Sequence, residues 1–537
     1  MKKILRHLVV LLSLANLCFS LPLSTRSRWI VDEPSQARVK LACANWAAHL
    51  EPMLAEGLDK KPVGNIASHI KEMGYNCVRL TWATYMFTRY ATTTVARSFR
   101  RLGLHDARGG IARHNPGFLN LTVVDAQRAV IEELARKGLM VVLDNHISQP
   151  MWCCSDHDGN GFFGDTNFDA NEWLHGLGIV AKRYNDTPMV VGMSLRNEFR
   201  GPLQNTSVWY KYIEEGARTI HKANPKLLVI VSGLQYDLSF DFLKKKPLKK
   251  IFKHKLVYEF HQYEFSTGLR YLWLNQPFNK ACERITRQIE REAGFLVEGE
   301  NGAPLFASEF GTKQVEMGRA DNLFLGCLLG YLAEKDLDWS VWALQGNYYI
   351  RSGVRGLDET YGMLNSDWSS IRSPDFHDKL QLIQHKIQDP NSKGSTYHIL
   401  YHPLSGQCIH ASKSNVYVDS CSGFSRWNHD GNQNSIQLRD TEMCLSANGD
   451  GIPVTLSRAC NNRQSQWEFL SDSKFQVANR DEHGNYLCLD WDPNKSSRVL
   501  TKKCFCLEQN ASINCLESPQ TQWFKLISGN VQKNGEG

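Results

Sequence analysis

Two glutamates far apart in the chain end short apolar runs: Glu198 in "SLRNEFRG" and Glu309 in "LFASEFG". Two convergent carboxyls with an aromatic platform suit hydrolysis of a glycosidic bond. One carboxylic acid protonates the leaving oxygen while the other carboxylate attacks the anomeric carbon. The two sites must push their pKa values apart. Glu309 is expected to stay ionised beside Arg79 and a hydrogen bond from Tyr263, and Glu198 to serve as acid and then as base. Asn197, next to Glu198, is placed to hold the sugar 2-hydroxyl, and Trp342 in "DWSVWAL" to floor the ring. Arg79 ("NCVRLTW"), His146 ("VVLDNH") and His261 with Tyr263 ("VYEFHQYEF") close similar runs. Taken singly, a buried Arg or His is more often a structural network residue. Gathered at one end of consecutive strands they read otherwise, because charged groups are costly to collect in one place unless they pair.

The elements that must position these groups are short β-branched runs alternating with amphipathic helical stretches between about Val39 and Ala343. Candidate strands end near Asn45, Thr81, His146, Asn197, Gly233, Gln262, Glu309 and Ala343. Helical patterns lie between them, as at Asp125–Lys137, with Asp125 as its expected cap, and Trp209–Ala223. The count and order predict an α/β fold, a (β/α)8 TIM barrel, whose strand tips share one mouth. A doubly wound sheet is the alternative, but no Gly-rich phosphate loop follows the first strand.

Over about residues 30–390 the chain resembles glycoside hydrolase family 5, the retaining cellulase and mannanase barrels. The resemblance rests on Arg79, His146, Asn197–Glu198, His261-x-Tyr263, Glu309 with Phe310–Gly311, and Trp342, in that order. It implies Glu198 as acid/base and Glu309 as nucleophile, with the other six lining the subsite at the cleaved bond. One departure stands out: the family's Asn-Glu-Pro is here Asn-Glu-Phe, with Phe199 in the last place.

After about Pro390 the texture changes to short strands and turns rich in Asn, Ser, Gly and Asp. "DPNSKGS" (Asp389–Ser395) reads as a linker. A weak repeat follows. Cys408/Cys421, Cys444/Cys460 and Cys488/Cys504 flank three units with 12 to 15 residues inside each pair, and "QSQW" and "QTQW" close the second and third. Ile436 stands for the Trp in the first, and Cys506 with Cys515 offers an extra bridge. The pattern predicts a C-terminal all-β β-trefoil, and residues 395–527 resemble a ricin-B-type lectin domain. That resemblance implies one sugar-site candidate, Asp490, two residues after Cys488, with Trp491 nearby. The competing expectation is a trefoil kept for stability.

Residues 1–20 read as a signal peptide: Lys2, Lys3 and Arg6, then an apolar run, then Cys18 and Ser20. The expected domains are therefore 1–20 signal peptide, 21–390 barrel and 391–537 trefoil, in a secreted protein. Loss of three basic residues lowers the net charge from +7 to about +4, and the remaining Lys and Arg are dispersed. No nucleic-acid or membrane partner, no metal and no other cofactor is expected, and a monomer is. Fifteen Cys become fourteen, an even number that predicts disulfides in an oxidising compartment. Asn120, Asn185, Asn205, Asn494 and Asn510 begin glycosylation sequons.

Other motifs are weaker. "SDHDGNG" (Asp156, Asp158, Asn160, Gly161) opens like a calcium loop, but Asn167 stands where the bidentate Glu belongs. Cys153 and Cys154 are expected to bridge to separate partners, Cys43 or Cys77, leaving Cys282 and Cys327 to pair or stay buried. Trp152, Phe162, Phe163 and Trp173 are candidate subsite walls, as are Asn45, Trp46, Tyr348 and Tyr349. The reading that follows is a β-glycosidase acting on β-linked glucans or mannans. The alternatives are a carbohydrate-binding protein with an inactive barrel and a transglycosylase.

Overall fold

The computed structural model describes residues 21–248, 254–266, 270–275, 278–299, 302–471, 473–491, 496–507 and 519–532; the expected signal peptide lies outside them. A short hairpin, β1 (Leu23–Arg26) with β2 (Trp29–Asp32), precedes the barrel. Its Leu23 and Ile30 join a buried cluster with Leu41, Met140 and Phe306.

Eight strands then close a barrel: β3 (Ala42–Trp46), β4 (Cys77–Ala83), β5 (Met140–Ile147), β6 (Val190–Ser194), β7 (Leu228–Ser232), β8 (Leu256–His261), β9 (Leu305–Phe310) and β10 (Asp338–Val341). All neighbours pair in parallel, with β10 returning to β3. Both faces of each strand are covered, so the strands are apolar runs rather than alternating ones. That continuity is what makes them legible in the sequence.

The connecting helices show ordinary amphipathic logic. α1 (Val123–Arg136) buries Val123, Ala126, Val130, Ile131 and Leu134. Its N-cap is Thr122, not the expected Asp125: the Thr122 hydroxyl oxygen accepts from the Asp125 backbone N–H, and its O–H donates to the Asp125 carboxylate. A threonine with an acidic residue three positions on marks a helix start, which makes Thr122 the cap and places Asp125 inside the first turn.

α2 (Arg319–Lys335) departs from amphipathicity. Every residue from Leu323 to Ala333 is buried, because the helix is covered on two sides. The barrel lies on one side and the C-terminal β-rich region on the other. Two glycines make room for that second contact: a Cβ on Gly326 would stand 2.7 Å from Leu404, and one on Gly330 2.4 Å from Phe475. Trp523 stacks on Phe475 and donates to Asn279 of the neighbouring helix, and Lys525 pairs with Glu334.

The β-rich region is antiparallel. Its first strand, Tyr397–His402, pairs with Gln407–Ser412 and with the last strand, Lys525–Gly529, which ties its two ends together. Trp427, Ile436, Trp467, Leu489 and Phe524 fill its own core. The three expected disulfides, Cys408–Cys421, Cys444–Cys460 and Cys488–Cys504, are formed. Cys506 is also disulfide-bonded, and its expected partner Cys515 lies outside the described residues.

In the barrel, Cys282 and Cys327 pair as one of the expected outcomes, while the loop cysteines differ from expectation. Cys43 on β3 bonds Cys77 on the neighbouring β4, Cys282 bonds Cys327, and the adjacent Cys153 and Cys154 bond each other. Cys43 and Cys77 face each other in register across two paired strands, which removes them as partners for the loop cysteines.

Candidate active site

The C-terminal ends of the barrel strands surround a cleft of about 540 Å³, within the usual range for small-molecule sites. Glu198, Glu309, His146, Tyr263 and Trp342 all line it. Carboxylate oxygens of Glu198 and Glu309 and a ring nitrogen of His261 lie within 4.8 Å of one another.

Arg79 on β4 is fully buried and organises the floor. Its Nη1 donates to Glu309 Oε1 at 2.7 Å and to Asn45 Oδ1 at 3.0 Å, and its Nη2 donates to Asn197 Oδ1 at 2.9 Å. Asp144 at 3.1 Å and Glu259 at 3.5 Å complete its ion pairs. Burial works against the guanidinium charge, and the carboxylates of Asp144, Glu259 and Glu309 outweigh it, so its pKa is raised. One cation facing three carboxylates is the pairing that makes this cluster affordable in a barrel interior.

Glu309 accepts a second bond from the Tyr263 hydroxyl at 3.0 Å. Burial and the charges of Glu309 and Glu198 keep that phenol protonated. Contrary to the expectation that Glu309 stays ionised, burial pushes its carboxyl up to about 7, with His261 and Arg79 acting against the rise and Glu198 adding to it.

His261 spans the pair. Its Nδ1 is 2.8 Å from Glu198 Oε1 and 3.8 Å from Glu309 Oε2. Its Nε2 meets Ser308 Oγ at 3.1 Å, with Asp237 at 3.6 Å. Burial disfavours the imidazolium, but Glu309, Glu198 and Asp237 together hold its pKa up at about 10. His146 is the opposite case. Burial and the Arg79 and His261 charges lower it well below its ordinary range. Its Nδ1 faces Asp144 Oδ2 at 2.6 Å, so the neutral ring donates there and leaves Nε2 as an acceptor. Trp342 stacks on this ring, with centroids 5.6 Å apart.

The backbone at Glu198 is in the left-handed region, with φ 48°. A non-glycine residue held there is strained. Three contacts hold it: the Glu198 N–H donates to Asp237 Oδ2 at 3.0 Å, its carbonyl accepts from Arg200 at 2.7 Å, and Phe199 is fully buried. Phe199 packs in an aromatic cluster with Phe162, Phe163 and Phe168, which accounts for the residue found after Glu198.

The structure thus brings together the eight barrel residues singled out in the sequence. Other expectations are corrected. Phe162, Phe163 and Trp173 are buried core, not cleft walls, because they pack on one another and on Phe199; Trp152 does line the cleft. Asn45 and Trp46 are wholly buried, and Trp46 donates to the Glu56 carbonyl. Tyr348 and Tyr349 are buried too. The carboxylates of the calcium-like loop have protein partners: Asp158 pairs with Arg200, and Asp156 accepts from Tyr236. Asp490 lies outside the cleft, 1% exposed, and accepts from Lys502, Thr521 and Gln522. Trp491 is buried as well.

Sequence reasoning missed Asp144, Glu259, Asp237, Arg351 and Glu359. Asp144 and Glu259 each stand two residues before a singled-out histidine on the same strand, so the alternation of a strand puts each on that histidine's face. That signal was available. Asp237 sits on a turn of three left-handed residues, Gln235 to Asp237, and no period marks it. Arg351 and Glu359 pair in the segment after β10 and reach the cleft, with Arg351 over the Trp152 ring at 3.5 Å.

Comparison with known proteins bears on the family and on the barrel fold. Residues 51–348 match the family model described as cellulase, glycosyl hydrolase family 5. A "Glycosyl hydrolase 5 family protein" of Chamaecyparis obtusa is 44% identical over 540 residues, covering 98% of this chain and 96% of that protein. The major extracellular endoglucanase of Xanthomonas campestris is 26% identical over 377 residues, 67% of this chain and 69% of that protein. Its catalytic domain, as a solved structure, gives a TM-score of 0.54 at 24% identity, covering 67% of this chain and 98% of its own. An endocellulase of the archaeon Pyrococcus horikoshii gives 0.54 at 20%, covering 68% and 99%. Both structural likenesses bear on the fold of the barrel.

Proposed function

Because the chain belongs to glycosyl hydrolase family 5, and is an endoglucanase-like O-glycosyl hydrolase, we propose that it cleaves β-linked glucan or mannan chains with retention of anomeric configuration. The observation that carries this reading is the closeness of the Glu198 and Glu309 oxygens, within 4.8 Å. Retaining enzymes hold their carboxyls about 5–5.5 Å apart, whereas inverting ones need room for a water between them.

In this reading a Glu309 oxygen attacks the anomeric carbon as the bond to the leaving oxygen breaks, and the proton of Glu198 passes to that oxygen. Glu198, now a carboxylate, takes a proton from water, whose oxygen attacks the same carbon and releases Glu309. Two donors, Arg79 and Tyr263, favour the ionised form at Glu309, while burial lifts its pKa to about 7. Asn197, its carbonyl fixed by Arg79, offers its amide to the 2-hydroxyl. Trp342 floors the sugar, and His146, His261 and Tyr263 complete the subsite. The two relatives named endoglucanase and endocellulase support glucan, and a variant of the latter was solved with cellotetraose.

We read residues 391–537 as a trefoil of ricin-B type, supported by three disulfides at repeat spacing and by its closing tryptophans. The occupied carboxylate of Asp490 and the burial of α2 favour support of the barrel over sugar capture. A secreted glycoprotein fits the disulfides and the exposed Asn120, Asn185 and Asn205. The test is incubation of the mature protein with defined β-glucans and β-mannans, with product anomers followed by NMR. Retained products support the reading; inverted products, or no hydrolysis of any of them, overturn it.

A further inference from the structure

Trp152, Cys153 and Cys154 follow β5 over the cleft, and all three line it. The two cysteines are bonded to each other. Asn197 Nδ2 lies 3.9 Å from the Cys153 sulfur and 3.7 Å from that of Cys154. Both sulfurs and a His146 ring nitrogen fall within 4.8 Å of one another. The disulfide therefore touches the group proposed to read the 2-hydroxyl and borders the histidine under Trp342.

A disulfide in this place has a distinct chemistry. Its sulfurs are polarisable and apolar, weak acceptors with no proton to give or lose. Two thiols would instead bring S–H donors that can ionise to thiolates. Around it the cleft floor is made of strong hydrogen-bonding groups. A pyranose has both hydroxyl edges and C–H faces, and the C–H parts need an apolar partner. Asn197 is fixed at its oxygen by Arg79, while the sulfurs beside its nitrogen are weak acceptors that leave the amide free to donate to a hydroxyl.

We propose that the bonded Cys153–Cys154 pair is a substrate-specificity element: an apolar wall beside Asn197 that leaves the Asn197 amide free to donate to the 2-hydroxyl of the sugar under attack. The ligand class is a neutral β-linked hexosyl unit with a free 2-hydroxyl. This rests on the glycosidase reading above.

The test uses Cys153→Ala/Cys154→Ala and Cys153→Ser/Cys154→Ser in the full mature chain, each checked for cooperative melting. The substrates are an aryl β-cellobioside and the analogue lacking the 2-hydroxyl on the attacked ring. The expected result is a fall in kcat/KM of about tenfold or more on the cellobioside, with variants and wild type within about twofold of each other on the 2-deoxy analogue. Equal losses on both substrates, no loss on either, or failure of both variants to fold would assign the bond to structure and overturn the proposal. Glu309→Gln, assayed in parallel, separates the two readings. If it keeps turnover, the glycosidase reading falls. If it is inert while both cysteine variants match wild type, only the specificity wall falls.

Discussion

The imidazole of His261 bonds Glu198 Oε1 at 2.8 Å while standing 3.8 Å from Glu309, so one cation serves both carboxyls. Its charge is among the factors holding Glu309 down against burial. Replacing it with Asn removes that opposition, and the Glu309 pKa rises above its value of about 7. An opposite charge at this range moves a carboxyl by roughly one to three pH units. The acidic limb of the kcat/KM profile of His261→Asn is expected to move to higher pH by about one unit or more; a profile that stays put or moves down contradicts this role.

The two carboxyls have separable signatures. Glu309→Gln is expected to lower kcat by about 10⁴-fold or more on every substrate, because no covalent step remains. Glu198→Gln is expected to lose about 10²–10⁴-fold on oligosaccharides, and less on aryl glycosides whose leaving group departs without a proton. Comparing the two substrate types for both variants checks the assignment; reversed patterns would exchange the roles.

Asp144 ties His146 to Arg79 by a 2.6 Å bond on one side and a 3.1 Å ion pair on the other. Asp144→Asn keeps the shape and deletes the charge. Removing one partner of a buried pair costs about 3–5 kcal/mol, and the low end applies because Glu259 and Glu309 remain on Arg79. A lowered denaturant midpoint together with a drop in kcat/KM is the expected outcome.

Gly330 offers a test far from the cleft. A Cβ there would stand 2.4 Å from the Phe475 ring. Gly330→Ala is expected to cost about 1–3 kcal/mol through overpacking, read from equilibrium unfolding, with kcat/KM per folded molecule unchanged.

Much of the barrel was legible because buried parallel strands are continuous apolar runs, and their polar tips interrupt those runs abruptly. Glu198 and Glu309 were found in that way. What stayed hidden depends on which face a side chain takes in three dimensions. Phe163 and Trp152 look alike as aromatic loop residues, yet one is core and the other lines the cleft. The Cys153–Cys154 bond was invisible because pairing follows distance, and Cys43 and Cys77 had already met in register on adjacent strands. The apolar run of α2 stands in the sequence, but what covers its outer side does not.

The strained turn at Glu198 has a consequence for how this enzyme would vary. The carboxyl proposed as general acid is aimed by packing at a distance: Phe199 is seated among Phe162, Phe163 and Phe168, with Arg200 and Asp237 as guys on either side. Substitutions in that greasy cushion, remote from any sugar, therefore register first as poorer proton delivery and only afterwards as a lower melting point. Drift there retunes turnover without touching a single group that meets the glycan.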